Sequence, residues 1–356
     1  MSDNKPVKFK FDVVIGNPPY QEETKGDSSS SPPIYHLFMD EAYKIARRVS
    51  FITPARFLFN AGQTPKSWNK KMLEDEHVKV EYYERDSSKV FANTNIIGGV
   101  AVTYRDVDKV FGATGLFITV PELNSIAHKV KRNKATSNLS EIAYARTSYK
   151  LSDDLHAEHP EARGLLSEGH AYDVSTNIFE SLGSIFLDSK PTDTNDFLRV
   201  YGIQNNQRVY KWVKANYIQD HPNLYKYKVF QGKSNGASGV LGDTPARMIT
   251  APIVMPPAIA HTQTFMSFGA FDAEYEAVAT AKYIRTKFAR ALLGILKVTQ
   301  DNPVNTWSYI PLQDFTSASD IDWSKTVREI DQQLYKKYEL DDTEIEFIES
   351  HVKEME

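Results

Sequence analysis

Asn17-Pro18-Pro19-Tyr20, directly behind the apolar run FDVVIG, holds residue types that can act on a planar base. The side-chain carbonyl of Asn17 can accept a hydrogen bond from an exocyclic amino group. The peptide carbonyl of Pro18 can accept a second, on a backbone that proline fixes. Tyr20 adds a flat aromatic face. Two acceptors aimed at one amino nitrogen hold its lone pair towards an electrophile. That geometry suits methyl transfer to an adenine amino group with no strong general base. Asn17, Pro18, Pro19 and Tyr20 are therefore the candidate catalytic residues, placed where open α/β sheets bind ligands, past the carboxyl end of a strand. A tight turn after a strand is the plainer account of the same four residues.

A second group of residues has the chemistry of polyanion binding. From Arg199 to Lys233 there are seven Lys/Arg against one acid, Asp220, interleaved with Tyr201, Tyr210, Trp212, Tyr217, Tyr225, Tyr227 and Phe230. Lys and Arg neutralise phosphates, while Gln204, Asn205, Asn206 and Arg208 are residue types that read purine edges in the major groove. These four, with Lys211, Lys214, Lys226, Lys228, Lys233 and, further on, Arg285, are the candidate DNA-binding residues. An antiparallel sheet with aromatics inside and lysines outside is the bland alternative, and both can hold at once. The net charge of −4 conceals this segregation, because residues 341–356 carry seven acids against Lys353 alone. The sequence HAEH at 156–159 lacks further ligands at telling spacing and reads as a solvated surface, so no metal site is expected. KSNGASGVLGD, from 233, lacks the Gly-Lys-Ser/Thr ending of a phosphate loop and reads as a loop or turn.

The elements that must position these residues alternate. Residues 9–16 read as a buried strand, 25–33 (KGDSSSSPP) as a loop, and 34–47 as a helix. VSFITPARFLF, from 49, reads as a second strand running into a turn and helix. VKVEYYERD and GGVAVTYRD read as a third and a fourth strand. The alternation predicts an α/β layer with parallel strands. Residues 273–297 read as one amphipathic helix with Ile284, Phe288, Leu292 and Ile295 on one face, and the chain from 322 as helical.

Composition sets outer bounds. With 41% hydrophobic and 25% charged residues in 356, the chain is long enough for two domains. There is no cysteine, which excludes disulfides, thiolate zinc sites and a cysteine nucleophile. No apolar run has the length of a membrane span, and the first residues lack a signal peptide's apolar core. Together these features point to the cytoplasm and away from a membrane partner.

The order of motifs resembles the gamma-class adenine-N6 DNA methyltransferases of restriction-modification systems, in particular type II-like methylase polypeptides with a C-terminal specificity domain. NPPY matches their catalytic motif, IYHLFMDEAYKIA the helix after it, and RRVSFITPARFLFN the next strand and turn. SSKVFANTNIIGGVAVTYRD resembles the late motif whose aromatic, here Phe91, stacks on the flipped base opposite Tyr20. FARALLGILKVTQDNPVNTWSYIPLQDF and IDWSKTVREIDQQLYKKYEL resemble the end of the specificity domain and its closing helices. NPPY alone proves no substrate, since it also occurs in rRNA-base and protein-glutamine methyltransferases. The resemblance implies the C-terminal half of a Rossmann-like methyltransferase sheet (1–115), an α+β DNA-specificity domain (116–315) and a C-terminal helical segment (316–356). It implies double-stranded DNA as partner and S-adenosylmethionine as cofactor.

One part of the family pattern is missing. The cofactor's Gly-rich loop and its acidic partner precede NPPY in the family, whereas sixteen residues precede Asn17 here. FGATG (111–115) comes nearest to the expected Phe-x-Gly-x-Gly, but lacks a downstream acidic strand. The expectation is therefore a chain that does not bind S-adenosylmethionine tightly alone. A separate polypeptide would supply the N-terminal half, or the chain is a truncated gene product. The strand FDVVIG would then be an exposed apolar edge. A non-catalytic DNA-binding or assembly subunit with a vestigial NPPY is the alternative.

Overall fold

The structure is a computed structural model that describes residues 9–22, 31–92, 94, 96–115, 117–118, 120–133, 137–192, 196–235, 241–242, 244–297 and 299–355. The chain forms two compact units, Met1–Thr119 and Val120–Glu356. Most of the loop expected over 25–33 lies outside the described residues.

In the first unit, β1 (Phe11–Gly16), α1 (Tyr35–Ile45), β2 (Ala46–Pro54), α2 (Lys66–Glu74), β3 (Val78–Glu84) and β4 (Val100–Asp106) follow in order. They build a four-stranded sheet in the order β1-β2-β4-β3. The long α1 connection lets β1 and β2 run parallel, Val13 opposite Arg48 and Ile15 opposite Ser50. The expectation of an all-parallel layer fails at β4, which is antiparallel to both β2 and β3. Among the described residues no crossover helix joins β3 to β4. The chain turns back through a 3-10 segment, Ser87–Lys89, and an irregular loop.

Alternation along β2 buries Val49, Phe51 and Thr53, and a core forms from Tyr35, Met39, Phe57, Trp68 and Met72 on one face of the sheet. The other face is open at β1. Phe11, Val13 and Ile15 are 53%, 50% and 75% exposed, so the strand expected to be buried is an uncovered apolar edge with one ladder partner. Two glycines shape the return into β4. Gly99 has φ +77°, and a Cβ there would lie 2.3 Å from the Glu84 carbonyl oxygen.

The second unit holds two further sheets, with orders β10-β6-β7 and β5-β11-β8-β9. Helix α3 (Pro121–Arg132) leads to β5 (Ala143–Tyr144), followed by the short helices α4 (Asp153–Glu158), α5 (Ala162–Leu165) and α6 (Ile178–Ser181). Strands β6 (Phe197–Gln204) and β7 (Gln207–Lys214) form a hairpin, followed by β8 (Tyr227–Gly232), β9 (Ile253–Met255), β10 (Ile259–His261) and β11 (Phe265–Phe271). The single helix expected over 273–297 is two, α7 (Glu274–Arg285) and α8 (Lys287–Leu293). Thr286 breaks it: the residue is extended, its hydroxyl donates to the Tyr283 carbonyl at 2.6 Å, and its oxygen accepts from Ala289 N to cap α8. The C-terminal helices α9 (Val327–Lys337) and α10 (Asp342–His351) pack within this same unit. Lys129 of α3 bridges to Asp341 and Glu344 at the start of α10.

Gly99→Ala is expected to cost at least about 2 kcal/mol of stability, because the clash is with backbone. Gly112→Ala has nothing within 4 Å and is expected to cost only about 1 kcal/mol for its left-handed backbone. Urea denaturation of the two variants beside the wild type checks the order.

Candidate base pocket

The parallel pairing of β1 with β2 delivers two loops to one edge of the sheet: NPPY after β1, and the 3-10 segment Ala55–Phe59 after β2. Pro18 is buried while Asn17 stays exposed. The chain beyond Tyr20 folds back on the approach to α1. Ile34 N donates to the Tyr20 carbonyl at 3.1 Å, Glu22 N donates to the Pro32 carbonyl at 3.1 Å, and Gln21 faces Pro33.

Between these loops lies a pocket lined by Tyr20, Gln21, Tyr35, Arg56, Thr64 and Ile96, among others. The Tyr20 hydroxyl is buried and has no partner in hydrogen-bonding geometry among the described residues. Burial pushes its pKa up, with the nearby Asn17 amide partly offsetting this, so the phenol stays neutral. Burial likewise holds Tyr35 up at about 12, against the opposing pull of Thr64 and Arg56. The loop 60–64 is fixed from below: Thr64 Oγ1 donates to Asn69 Oδ1 at 2.7 Å, and Asn69 Nδ2 donates to Asn60 Oδ1 at 3.2 Å.

Phe91 is half-buried in the loop between β3 and β4, its N–H donating to the Ser87 carbonyl at 2.8 Å. The same loop reaches the pocket through Ile96, whose N–H donates to Ser87 Oγ at 2.8 Å. Ile96, Tyr35 and Arg56 are pocket residues that sequence reasoning passed over. For Arg56 a signal existed, a cation just past a strand's carboxyl end in ITPARF.

The fit of a cofactor can be tested on FGATG. Phe111 N and Gly112 N both donate to the Glu76 carbonyl, and Gly115 N donates to that of Leu73. These residues run as irregular chain, not as a strand-to-helix turn. FGATG therefore does not form the glycine-rich turn that S-adenosylmethionine is expected to need.

In the second unit the DNA-binding candidates divide. Asn205 and Asn206 are the two turn residues of the β6–β7 hairpin, with φ of 50° and 60°. Their residue type is explained by the turn itself. Gln204 precedes them and Arg208 follows one residue beyond Gln207, and Asn205, Asn206 and Arg208 are all exposed. Lys233 is half-exposed and lines a cleft with Arg146, Asn302 and Asn305. Lys214 meets Glu158 and Lys226 meets Asp272, while Arg285 Nη2 donates to the Pro252 carbonyl at 3.2 Å. Two candidates must be corrected. Lys228 is fully buried and donates to the carbonyls of Leu224, Lys226 and Pro256, so it reaches no phosphate. Lys211 is only 8% exposed and paired with Asp188. The basic, aromatic pattern here records a sheet as well as a surface: Tyr201, Tyr217 and Phe230 are core.

His156 also departs from expectation. It is buried, with Nε2 at 2.8 Å from the Ala171 carbonyl, and serves packing, not a solvated face. Among the described residues no group of three or more His, Cys, Asp or Glu could hold a metal ion. No described helix is long and apolar enough to cross a membrane.

Residues 4–91, which hold the NPPY turn and every residue named above as lining the pocket except Ile96, match the family described as Eco57I restriction-modification methylase. No curated protein matches the chain. A solved structure described as the type IIG restriction endonuclease BpuSI is similar at 8% identity with a TM-score of 0.26, over 91% of this chain. The chain spans 50% of the length of that structure's chain, and at such a score the likeness carries no argument about the fold.

Burial without an acidic partner pushes Lys228 down to about 7 from the ordinary lysine value. Between that value and the unfolded one, the unfolded chain binds the extra proton, so stability rises with pH. From pH 7 to 10 the wild type is expected to gain up to about 1.4 kcal/mol per pH unit from this group. Denaturation across that range should show a shallower rise in Lys228→Met.

Proposed function

We propose that the first unit is the target-base pocket of a site-specific DNA adenine-N6 methyltransferase of a restriction-modification system, and that the second unit recognises DNA. One observation carries this reading. NPPY lies inside the segment that matches a restriction-modification methylase family, and it ends a strand at the sheet edge where a half-buried pocket opens beside it. In the proposed mechanism the adenine leaves the duplex. Asn17 Oδ1 and the Pro18 carbonyl accept hydrogen bonds from its amino group, and Tyr20 supplies a stacking face. The amino nitrogen's lone pair is thereby left free for attack, and orientation does the work that a general base would otherwise do. Phe91 would stack on the opposite side if its loop moves toward the base, with Ile96 the residue of that loop already at the pocket.

S-adenosylmethionine is the methyl donor that a methylase of this kind implies. Its site would be completed by a further element, on a separate polypeptide or elsewhere in the same protein, that pairs with the open edge of β1. The exposed Phe11, Val13 and Ile15 support this reading, because an uncovered apolar edge strand is a surface that proteins ordinarily pair or cover. The exposed tip of the β6–β7 hairpin and Lys233 are the proposed contacts with double-stranded DNA.

Asn17→Ala is expected to lower methylation by at least about a hundredfold, as losing one well-placed polar contact to the reacting group does, while duplex binding stays within about twofold. Gel-shift and methyl-transfer assays on the same preparation separate the two. Equal loss of both would remove Asn17 from the chemistry. Unchanged methylation, or none by the wild type in its native complex, would favour a DNA-binding subunit with a vestigial NPPY.

A further inference from the structure

The first unit has five arginines; of the four Arg47, Arg48, Arg56 and Arg105, three meet an aspartate. Arg47 pairs with Asp108 at 2.6 Å, Arg48 with Asp106 at 3.2 Å and Arg105 with Asp75 at 3.1 Å. The fourth, Arg56, lines the Tyr20 pocket and has no carboxylate partner among the described residues. Among the described residues no acid lines that pocket either; its other described polar linings are Tyr20, Gln21, Tyr35, Gln63 and Thr64. The two acids on α1 are both taken, Asp40 by Lys71 at 2.7 Å and Glu41 by Lys44 at 2.6 Å.

The Arg56 side chain is held in place by backbone. Its Nε donates to the Ile97 carbonyl. Its stem runs against two glycines in the left-handed region, Gly62 (φ +82°) and Gly98 (φ +90°). A Cβ on Gly98 would lie 2.8 Å from Arg56 Cγ, and one on Gly62 would lie 3.2 Å from its Cβ and Cδ. Close approach of two loops to one stem requires glycine at both positions. The bond to Ile97 uses only Nε, and the two Nη groups make no hydrogen bond among the described residues. A guanidinium whose stem is fixed, and whose fork meets no acid among the described residues, is organised for an external anion, and its planar fork matches phosphate oxygens.

We infer that Arg56 is a phosphate-binding positioning residue, gripping a phosphate of the nucleotide whose base occupies the Tyr20 pocket. This inference rests on the base-pocket reading above. The base enters with its sugar and the flanking phosphates attached, so a cation lining the base site is placed to hold them. Phosphate contacts fix register and orientation, and here they would set the angle at which the amino group meets Asn17. Either the 5′- or the 3′-phosphate supplies the same chemistry.

The test is a chemical-shift titration of the full chain with deoxyadenosine, its 5′-monophosphate and its 3′-monophosphate, read at pocket residues. One of the two nucleotides should bind about tenfold more tightly than the nucleoside, as one charge-assisted contact allows. Which one does so identifies the phosphate. Arg56→Met, which keeps the apolar stem against the glycines, should abolish that advantage, so that neither nucleotide binds more tightly than deoxyadenosine. Arg56→Lys should restore part of it. An equal nucleotide advantage in wild type and Arg56→Met overturns the inference alone. So does a loss in Arg56→Met that is the same for nucleoside and nucleotides, which would make Arg56 a wall of the base site. Failure of all three ligands to shift the pocket overturns the base-pocket reading together with the inference.

Discussion

The pairing of β1 with β2 is the constraint on which the rest of the first unit depends. Because the two strands run parallel, both carboxyl ends reach one edge of the sheet, bringing the turn after β1 beside the segment after β2. Strand side chains alternate faces, so a one-residue slip would turn Val49 and Phe51 out of the core. The burial of Val49, Phe51 and Thr53 against α1 and α2 thus fixes the register, and the register fixes where Tyr20 stands relative to Arg56. Pro18 and Pro19 remove backbone freedom in the turn after β1. The pocket is therefore built mainly from backbone placement, with few side-chain bonds of its own.

The same pairing leaves β1 with a ladder on one side only. Its apolar residues Phe11, Val13 and Ile15 project from a face that no described helix of the first unit covers. A half-satisfied edge of this kind is costly to leave in water and prone to pairing with other strands. It stands next to the turn that carries the proposed chemistry. Completing the sheet and completing the cofactor site are, on this account, one event.

Much of the first unit was legible in the sequence, because its strands are short apolar runs closed by turn residues and NPPY marks a strand's end. The direction of β4 was not legible. Nothing in GGVAVTYRD encodes strand direction, which follows from the absence of a crossover helix after β3. Residues 273–297 kept helical spacing across Thr286, so periodicity could not reveal a break made by one hydroxyl bonding the turn before it. Lys228 shows a deeper limit. A lysine among aromatics looks like a surface cation, yet three backbone carbonyls at 3.0, 3.0 and 3.2 Å can satisfy it in the interior. Asn205 and Asn206 were noticed for what their amides could read, whereas their left-handed backbone is what the hairpin requires. Arg56 was within reach. It follows a strand's carboxyl end, as Asn17 does, but only the folded glycines beside it reveal that its stem is held.

The most direct measurement of the central claim is the identity of the modified base. DNA from cells carrying the gene in its native neighbourhood, and from the same cells with the gene deleted, would be digested to nucleosides and analysed by mass spectrometry. The account predicts N6-methyldeoxyadenosine that disappears on deletion. A methyl group on a ring carbon, or an unchanged amount of methylated adenine, would contradict it.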